Sequence, residues 1–505
     1  MKALLLHPDR DFEPLGSLEA PEASLRQDLE QDLALGTLLE AMAAGDAHVR
    51  EVAREVLLAS RASDIDMVLH RQAVLKDCLA NPGTVRRMYG IASEALTRKR
   101  KQWLGIFGRS PGLVLSGADH MLQMFVELLE ELRDLAAENA PRFESHGFGL
   151  LFATLRQELS DDYLAEVREE LERLKFNDGF LMSAEVGPGG NGGVGHMLRK
   201  PNDPPAGWLR RLIGARPHGL VFRLAPRDDA GARILSDLRD RALNLAANAL
   251  GQASDHVQSF FEMLYAELAF YVGCLNLHSR LGALGVPLSF PRPEATGEPR
   301  LRARGLREPC LALQSGHRVV PNDVDADGKD LLIITGANQG GKSCFLRALG
   351  ISQLMMQAGM FVAAESYAAE VRRGLFTHYK REEDTRMESG KFDEELVRMS
   401  AIADAARPGD LVLFNESFAS TNEREGSEIA SQIVRALVER RIKVFFVTHQ
   451  YSFAHGLARS ARDDVLFLRA ERRDDGTRTF RLLEGEPLET SYGEDLYREV
   501  FVSDA

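Results

Sequence analysis

Cysteine is scarce in this chain. There are four in 505 residues (Cys78, Cys274, Cys310, Cys344), far apart and at no metal-ligand spacing. That excludes a disulfide scaffold and a cysteine-based zinc site, and the four read as reduced thiols of a cytoplasmic protein. Basic charge is not in excess either. Lys and Arg number 62 against 75 Asp and Glu, a net charge of −13. This argues against a surface coated for nucleic acid, although one basic face on an acidic body stays compatible with it. No apolar run approaches the roughly 18–20 residues that cross a bilayer, so no membrane partner is expected. Met1 to Asp9 carries one Lys and a short apolar patch, without the apolar core and cleavage site of a signal peptide. What is present is 44% hydrophobic residues over a length that calls for two to four domains.

The texture changes along the chain. Residues 1–175 read as a helical core region. Leu33, Leu35, Leu38, Leu39 and Met42 recur near the 3.6-residue period, as do Met121, Met124, Phe125, Leu128 and Leu129. Asn81-Pro82-Gly83 and the stretch Gly108 to Gly112 interrupt it. Residues 176–228 read as a small β-containing insertion. Its strand candidates are Phe180 to Val186 and Leu220 to Leu224, around a Gly- and Pro-rich loop. Two overlapping matches to the dinucleotide fingerprint, starting at Gly187 and Gly190, are set aside because Pro201 stops any helix after them; a flexible loop is expected. Residues 229–300 contain no Pro before Pro287 and predict one or two long helices. From 301 to 505, short apolar runs at Leu331 to Thr335, Leu411 to Phe414, Val444 to Thr448 and Val465 to Leu468 suit strands buried on both faces of an α/β sheet.

Gly336-Ala337-Asn338-Gln339-Gly340-Gly341-Lys342-Ser343 fits G-x-x-x-x-G-K-[ST] completely. A strand candidate precedes it, and an apolar helical run starting at Cys344 follows. Glycines let backbone N–H groups turn onto phosphate oxygens, and the helix N-terminus adds partial positive charge. Lys342 is expected at the β- and γ-phosphates and Ser343 at Mg²⁺. The strand Leu411 to Phe414 ends in Asn415-Glu416. In a nucleotide-hydrolysing protein of this build, the first residue helps hold Mg²⁺ through water, and Glu416 is the candidate general base. An amide at Asn415 accepts a hydrogen bond but brings no charge, so weaker Mg²⁺ binding is expected. His449 ends the next strand candidate, where a γ-phosphate sensor would sit.

Together these residues resemble the ATPase domain of the MutS family of DNA mismatch-repair proteins. The resemblance rests on Thr335 to Cys344 followed by Phe345-Leu346-Arg347, and on Arg307-Glu308-Pro309 and Val320-Pro321-Asn322-Asp323 upstream. Downstream it rests on Gly359, Phe361-Val362, Ala364, Asn415-Glu416 with Thr421 and Gly426, Thr448-His449, and Ser491-Tyr492-Gly493. It covers about Arg307 to Gly493 and implies an ABC-type P-loop ATPase domain at the C-terminus, with ATP and Mg²⁺ as ligands. Gly336 to Cys344 would be the nucleotide-binding residues. Asp64 to Asp77 is similar to the family's helical core, and the long helices at Ala230 to Gly285 to its lever. No match to the mismatch-reading domain or the usual DNA clamp is found. The resemblance also implies a homodimer whose partner completes each site through a signature loop. Here that segment is Glu388 to Leu396, with Ser389 and Lys391 as the candidate contacts in trans. The expected function is a nucleotide-gated dimeric ATPase clamp on DNA in repair or recombination. Arg98 to Lys101 with Trp103, and Arg210, Arg211 and Arg216 near Trp208, are the candidate DNA contacts. The alternative is an ATP-driven switch or scaffold for a protein partner, with slow or no hydrolysis.

Overall fold

The computed structural model describes every residue except 14–19, 60–63, 104–110, 175–181, 187–191, 198–227, 298–299, 382–389, 461, 474–476 and 489–505. The chain divides into two compact units, and each is described by itself.

The first unit comprises Met1–Ala3, Arg86–Pro141 and Gly149–Tyr265. It is built mainly from helices. The long helix Asp229–Ala283 starts here, a single helix where the missing prolines permitted one or two. Pro111–Asn139 buries Leu115, Met121, Phe125, Leu128, Leu129 and Leu132, one per turn or nearly so, on one stripe. Phe125 meets Phe261 at 5.6 Å, and Tyr89 stacks on Tyr265 at 4.8 Å. The unit also carries a hairpin of β1 (Met182–Val186) and β2 (Gly192–Met197), antiparallel with Ser183 opposite His196. Gly192 to Gly195, expected to be loop, is therefore strand. The candidate strand at Leu220 to Leu224 lies outside the described residues.

The second unit comprises Leu4–Val85, Arg142–Phe148 and Ala266–Ala505. Its centre is a six-stranded sheet. The strands are β6 (Leu331–Thr335), β8 (Leu375–Tyr379), β9 (Leu411–Asn415), β10 (Lys443–Val447), β11 (Val465–Arg472) and β12 (Arg478–Glu484), in the order β12-β11-β6-β10-β9-β8. All neighbours are parallel except β11 and β12. β6, β8 and β10 are buried along their whole length, as apolar runs flanked by helices should be. A smaller sheet joins β3 (Arg292–Glu294), β4 (Leu301–Leu306), β5 (Asn322–Asp325) and β7 (Ser366–Glu370) in the order β3-β7-β4-β5.

Helices on the large sheet complete the core. Lys342–Gln357 is buried over most of its length, and Gly350 leaves room for Leu33 and Leu413, which come within 2.8 Å of where a Cβ would stand. Arg398 holds Asp28 at 3.2 Å and Asp32 at 3.4 Å, which ties the helix Ala20–Asp32 to this domain. The N-terminal Leu5 and Leu6 are fully buried; their amides donate to the Glu267 carboxylate at 2.6 and 3.2 Å.

Leu243–Ala283 corrects the reading that no apolar stretch reaches membrane-spanning length. It passes on length and hydropathy, but 72% of its most apolar window is buried inside the protein, as in a core helix.

Candidate functional site

The register of the parallel sheet brings the motifs together. Val447 pairs with Ile334 on one side and Asn415 on the other. The chain leaves β6 at Gly336, β9 at Glu416 and β10 at Thr448, so all three exits lie at one edge of the sheet. That edge, at the carboxyl ends of parallel strands, is where α/β folds place ligands.

The loop from Gly336 to Ser343 is shaped by its glycines. Gly336 adopts φ 110° and Gly341 φ 89°, the region glycine enters without strain. A Cβ on Gly336 would come 2.8 Å from the Ala470 amide nitrogen, and one on Gly340 would come 2.9 Å from the Ala337 carbonyl. Neither site admits another residue without movement of backbone. Gln339 takes φ 58° and accepts from Arg478 at 2.8 Å. Gly341 then caps the helix Lys342–Gln357, whose first turn carries no acidic residue. The positive end of that helix therefore lies at the loop.

The Lys342 ammonium donates to the carbonyls of Gly336 and Ala337, both at 2.9 Å. Burial pulls its pKa below the ordinary lysine value, while Glu416 opposes that shift. Ser343 donates to Asn415 Oδ1 at 2.7 Å. These two oxygens form the kind of neutral pair that a Mg²⁺ ion keeping most of its waters can use. Among the described residues no group of three or more His, Cys, Asp and Glu could cage a metal by itself. Cys344 is half-buried, and burial pushes its thiol up to about 11.

Glu416 stands at φ 54°, and its amide donates to Val447 at 2.9 Å. His449 Nδ1 lies 3.8 Å from Glu416 Oε1, too far for a hydrogen bond and within ion-pair reach only when the ring is protonated. The His449 ring is the main cause holding the Glu416 carboxyl below the usual carboxylate range. Burial opposes it, and Lys342 and Lys380 add to it. Glu416 is thus ionised at neutral pH and able to accept a proton from a water.

A cavity of about 490 Å³ opens beside the loop and includes Lys342, Ser343, Cys344 and Glu416 in its wall. Its wall also holds His317, Val320, Asn322 and Phe480. Asn322 fixes that part of the wall by donating to the Phe480 carbonyl at 3.2 Å and accepting from the Leu482 amide at 2.7 Å. Sequence reading named Asn322 only as part of a resembling segment and missed Phe480 and Lys380. Phe480 arrives on an antiparallel strand from 139 residues beyond Gly341, and no local pattern marks it.

Of the remaining candidates, Lys391 is the first residue of the helix Lys391–Ala405. Ser389 lies outside the described residues, as do Arg210, Arg211, Arg216, Trp208 and Ser491 to Gly493. Arg98 sits on the helix Pro82–Trp103 and pairs with Glu94 one turn earlier.

The fold and the loop place the molecule among α/β proteins that present a glycine-rich turn at the carboxyl edge of a parallel sheet. Comparison with known proteins narrows this. The family model of the MutS2 N-terminal domain matches residues 63–284, and that of MutS domain V matches residues 332–502. The chain belongs to the MutS family. It is 32% identical to the DNA mismatch repair protein MutS of Thermus aquaticus over 230 residues, 45% of this chain and 27% of that one. It is 27% identical to the DNA mismatch repair protein MSH3 of Coccidioides immitis (strain RS) over 284 residues, 54% and 24% of the two chains. It is 39% identical to the endonuclease MutS2 of Anaeromyxobacter sp. (strain Fw109-5) over 149 residues, 28% and 18%. The chain thus spans about a quarter or less of the length of these relatives.

Proposed function

We propose that this protein is a MutS-like ATPase that works as a nucleotide-gated dimeric clamp on DNA in cytoplasmic repair or recombination. One observation carries the ATPase part. The exits of three parallel strands share one edge of the sheet, and a cavity of about 490 Å³ there has the glycine loop, Lys342, Ser343 and Glu416 in its wall, which supports the reading. The proposed division of the chain is a helical core over 1–175, a β-containing insertion over 176–228, long helices over 229–300 and the ATPase domain over 301–505.

The loop amides from Gly336 to Cys344 hold the β-phosphate, and Lys342 exchanges its loop carbonyls for β- and γ-oxygens. The Phe480 and His317 side of the cavity receives the base. Ser343, with Asn415 behind it, would hold Mg²⁺, which would supply positive charge against the phosphates. Glu416 takes the proton of the attacking water. His449 lies beside the Glu416 carboxylate and acts as the γ-phosphate sensor. Lys391, with Ser389, approaches the partner's nucleotide and supplies cationic charge in trans. Leu396 and Val397, exposed apolar residues on the same helix, suit contact with a second copy.

DNA as the partner rests on the family, whose relatives here are named mismatch repair proteins. A second reading, a slow switch for a protein partner, is favoured by Asn415 and by the net charge of −13. Titration with a fluorescent ATP analogue, followed by turnover assays with and without DNA, separates the two. Nucleotide binding with DNA-stimulated turnover supports the clamp. Binding without turnover and without any DNA response supports the switch. No nucleotide binding removes both.

A further inference from the structure

Glu416 and Phe418 both occupy the left-handed backbone region, at φ 54° and 61°. Neither is glycine, and Phe418 is bulky and fully buried. A non-glycine residue in this region is strained unless its surroundings impose the conformation. Ser417, between them, is 1% exposed. The groups imposing this turn converge on one side chain that the proposed mechanism does not use, His378 on β8.

The His378 ring is fully buried and stacks on Phe418, with centroids 5.2 Å apart and planes 21° apart. Its Nδ1 lies 2.8 Å from Ser417 Oγ, and its Nε2 lies 2.9 Å from the Glu395 carbonyl. Burial, helped by Arg398, pulls its pKa down to about 4, so the ring is neutral at physiological pH. A neutral ring has one N–H. The Glu395 carbonyl can only accept, so that hydrogen sits on Nε2. The one hydrogen of the Ser417 hydroxyl is donated to the His378 carbonyl at 2.5 Å and shared with Nδ1.

Glu395 is on the helix Lys391–Ala405 and grips the turn a second time. Its carboxylate accepts from Ser420 Oγ at 2.9 Å. Gln450 closes the far end by donating to the Phe418 carbonyl at 3.0 Å. The helix that begins at Lys391 is therefore joined by direct contacts through His378 to the residue following Glu416.

We propose that His378 is a positioning residue that sets the Glu416 carboxylate and couples it to the helix Lys391–Ala405. The inference rests on the reading of Glu416 as general base. A shift of that helix moves the Glu395 carbonyl, the ring follows, and the Ser417 hydroxyl carries the displacement to the Glu416 backbone. The dimer partner thereby gains a path into the site that does not pass through the nucleotide.

The test compares the full chain with His378→Phe, which keeps the ring stack and loses both hydrogen bonds, and with Ser417→Ala. Affinity for a fluorescent ATP analogue should stay within about twofold, because the phosphate loop is untouched, while kcat falls at least about tenfold with KM unchanged. Amide exchange should rise across residues 415–418. An unchanged kcat, or a fall matched by an equal loss of ATP affinity, overturns the proposal. If the native chain binds ATP without turnover, the general-base reading fails, and amide exchange alone then decides whether His378 holds the turn. If His378→Phe does not fold, Ser417→Ala decides by the same measurements.

Discussion

Lys342 and Glu416 make separable demands on the site. Lys342→Ala removes the ammonium proposed to meet the phosphates, and ATP affinity should fall by at least about tenfold, the effect of losing one charge-assisted contact. Glu416→Gln keeps the shape and removes the base, so ATP should still bind while turnover drops about a hundredfold or more. A filter-binding and phosphate-release pair measures both; an equal loss of affinity in the two variants contradicts the roles assigned. Asn415→Asp restores a negative charge beside Ser343. Half-maximal turnover should then need about tenfold less Mg²⁺, and an unchanged Mg²⁺ dependence would clear Asn415 of slowing the site. Away from the site, Glu267 is a buried carboxyl raised to about 7 by desolvation, against its amide bonds to Leu5 and Leu6. Its folded pKa lies above its unfolded value of 4.5. The folded chain holds the extra proton, so this group's contribution to stability is greatest below about pH 4.5 and is lost as pH rises towards 7. Glu267→Gln should flatten the denaturation midpoint over that window. At this scale the sequence was informative wherever chemistry is local. The loop, Asn415-Glu416 and His449 follow one another in motif order, and their neighbours are apolar strands. Phe480, Lys380 and His378 were silent, because each acquires its role from a contact made far along the chain.

Among elements, strands buried on both faces were legible. Leu331–Thr335 and Leu411–Asn415 are continuous apolar runs with turn residues after them. The short strands Arg292–Glu294 and Asn322–Asp325 were not, since partial exposure and charged residues remove the run that marks a strand. Gly192–Met197 misled for the opposite reason: glycine has low strand propensity, and only its antiparallel partner Met182–Val186 holds it extended. Close packing between elements makes a further prediction. A Cβ on Gly426 would stand 2.3 Å from the Phe418 carbonyl and 2.8 Å from Gln450 Nε2. Gly426→Ala should therefore destabilise by about 1–3 kcal/mol and disturb the Glu416 turn. Gly90→Ala, in the helix Pro82–Trp103 with nothing within 4 Å, should be neutral or stabilising by up to about 1 kcal/mol. Thermal melts of the two variants compare them directly, and equal shifts would contradict the packing argument.

For the whole molecule, the two family matches fall on different parts of the chain, 63–284 and 332–502. The first runs through residues of both compact units, because the helix Asp229–Ala283 begins in one and ends in the other. Sequence texture recovered the helical and α/β regions but not that division, since contacts of Leu4–Val85 with the C-terminal half leave no periodic trace. A nucleotide-driven change in one unit has this helix as a covalent route to the other. The central claim is that nucleotide state controls a grip on DNA. The direct measurement is binding of the full chain to labelled duplex, mismatched duplex, branched junction and single strand at physiological salt. Each is titrated without nucleotide, with ADP and with a non-hydrolysable ATP analogue, for the native chain and for Lys342→Ala. The account predicts that affinity for at least one of these structures changes several-fold with nucleotide in the native chain and not in Lys342→Ala. Affinities that ignore nucleotide, or binding that disappears at physiological salt in every state, would contradict it.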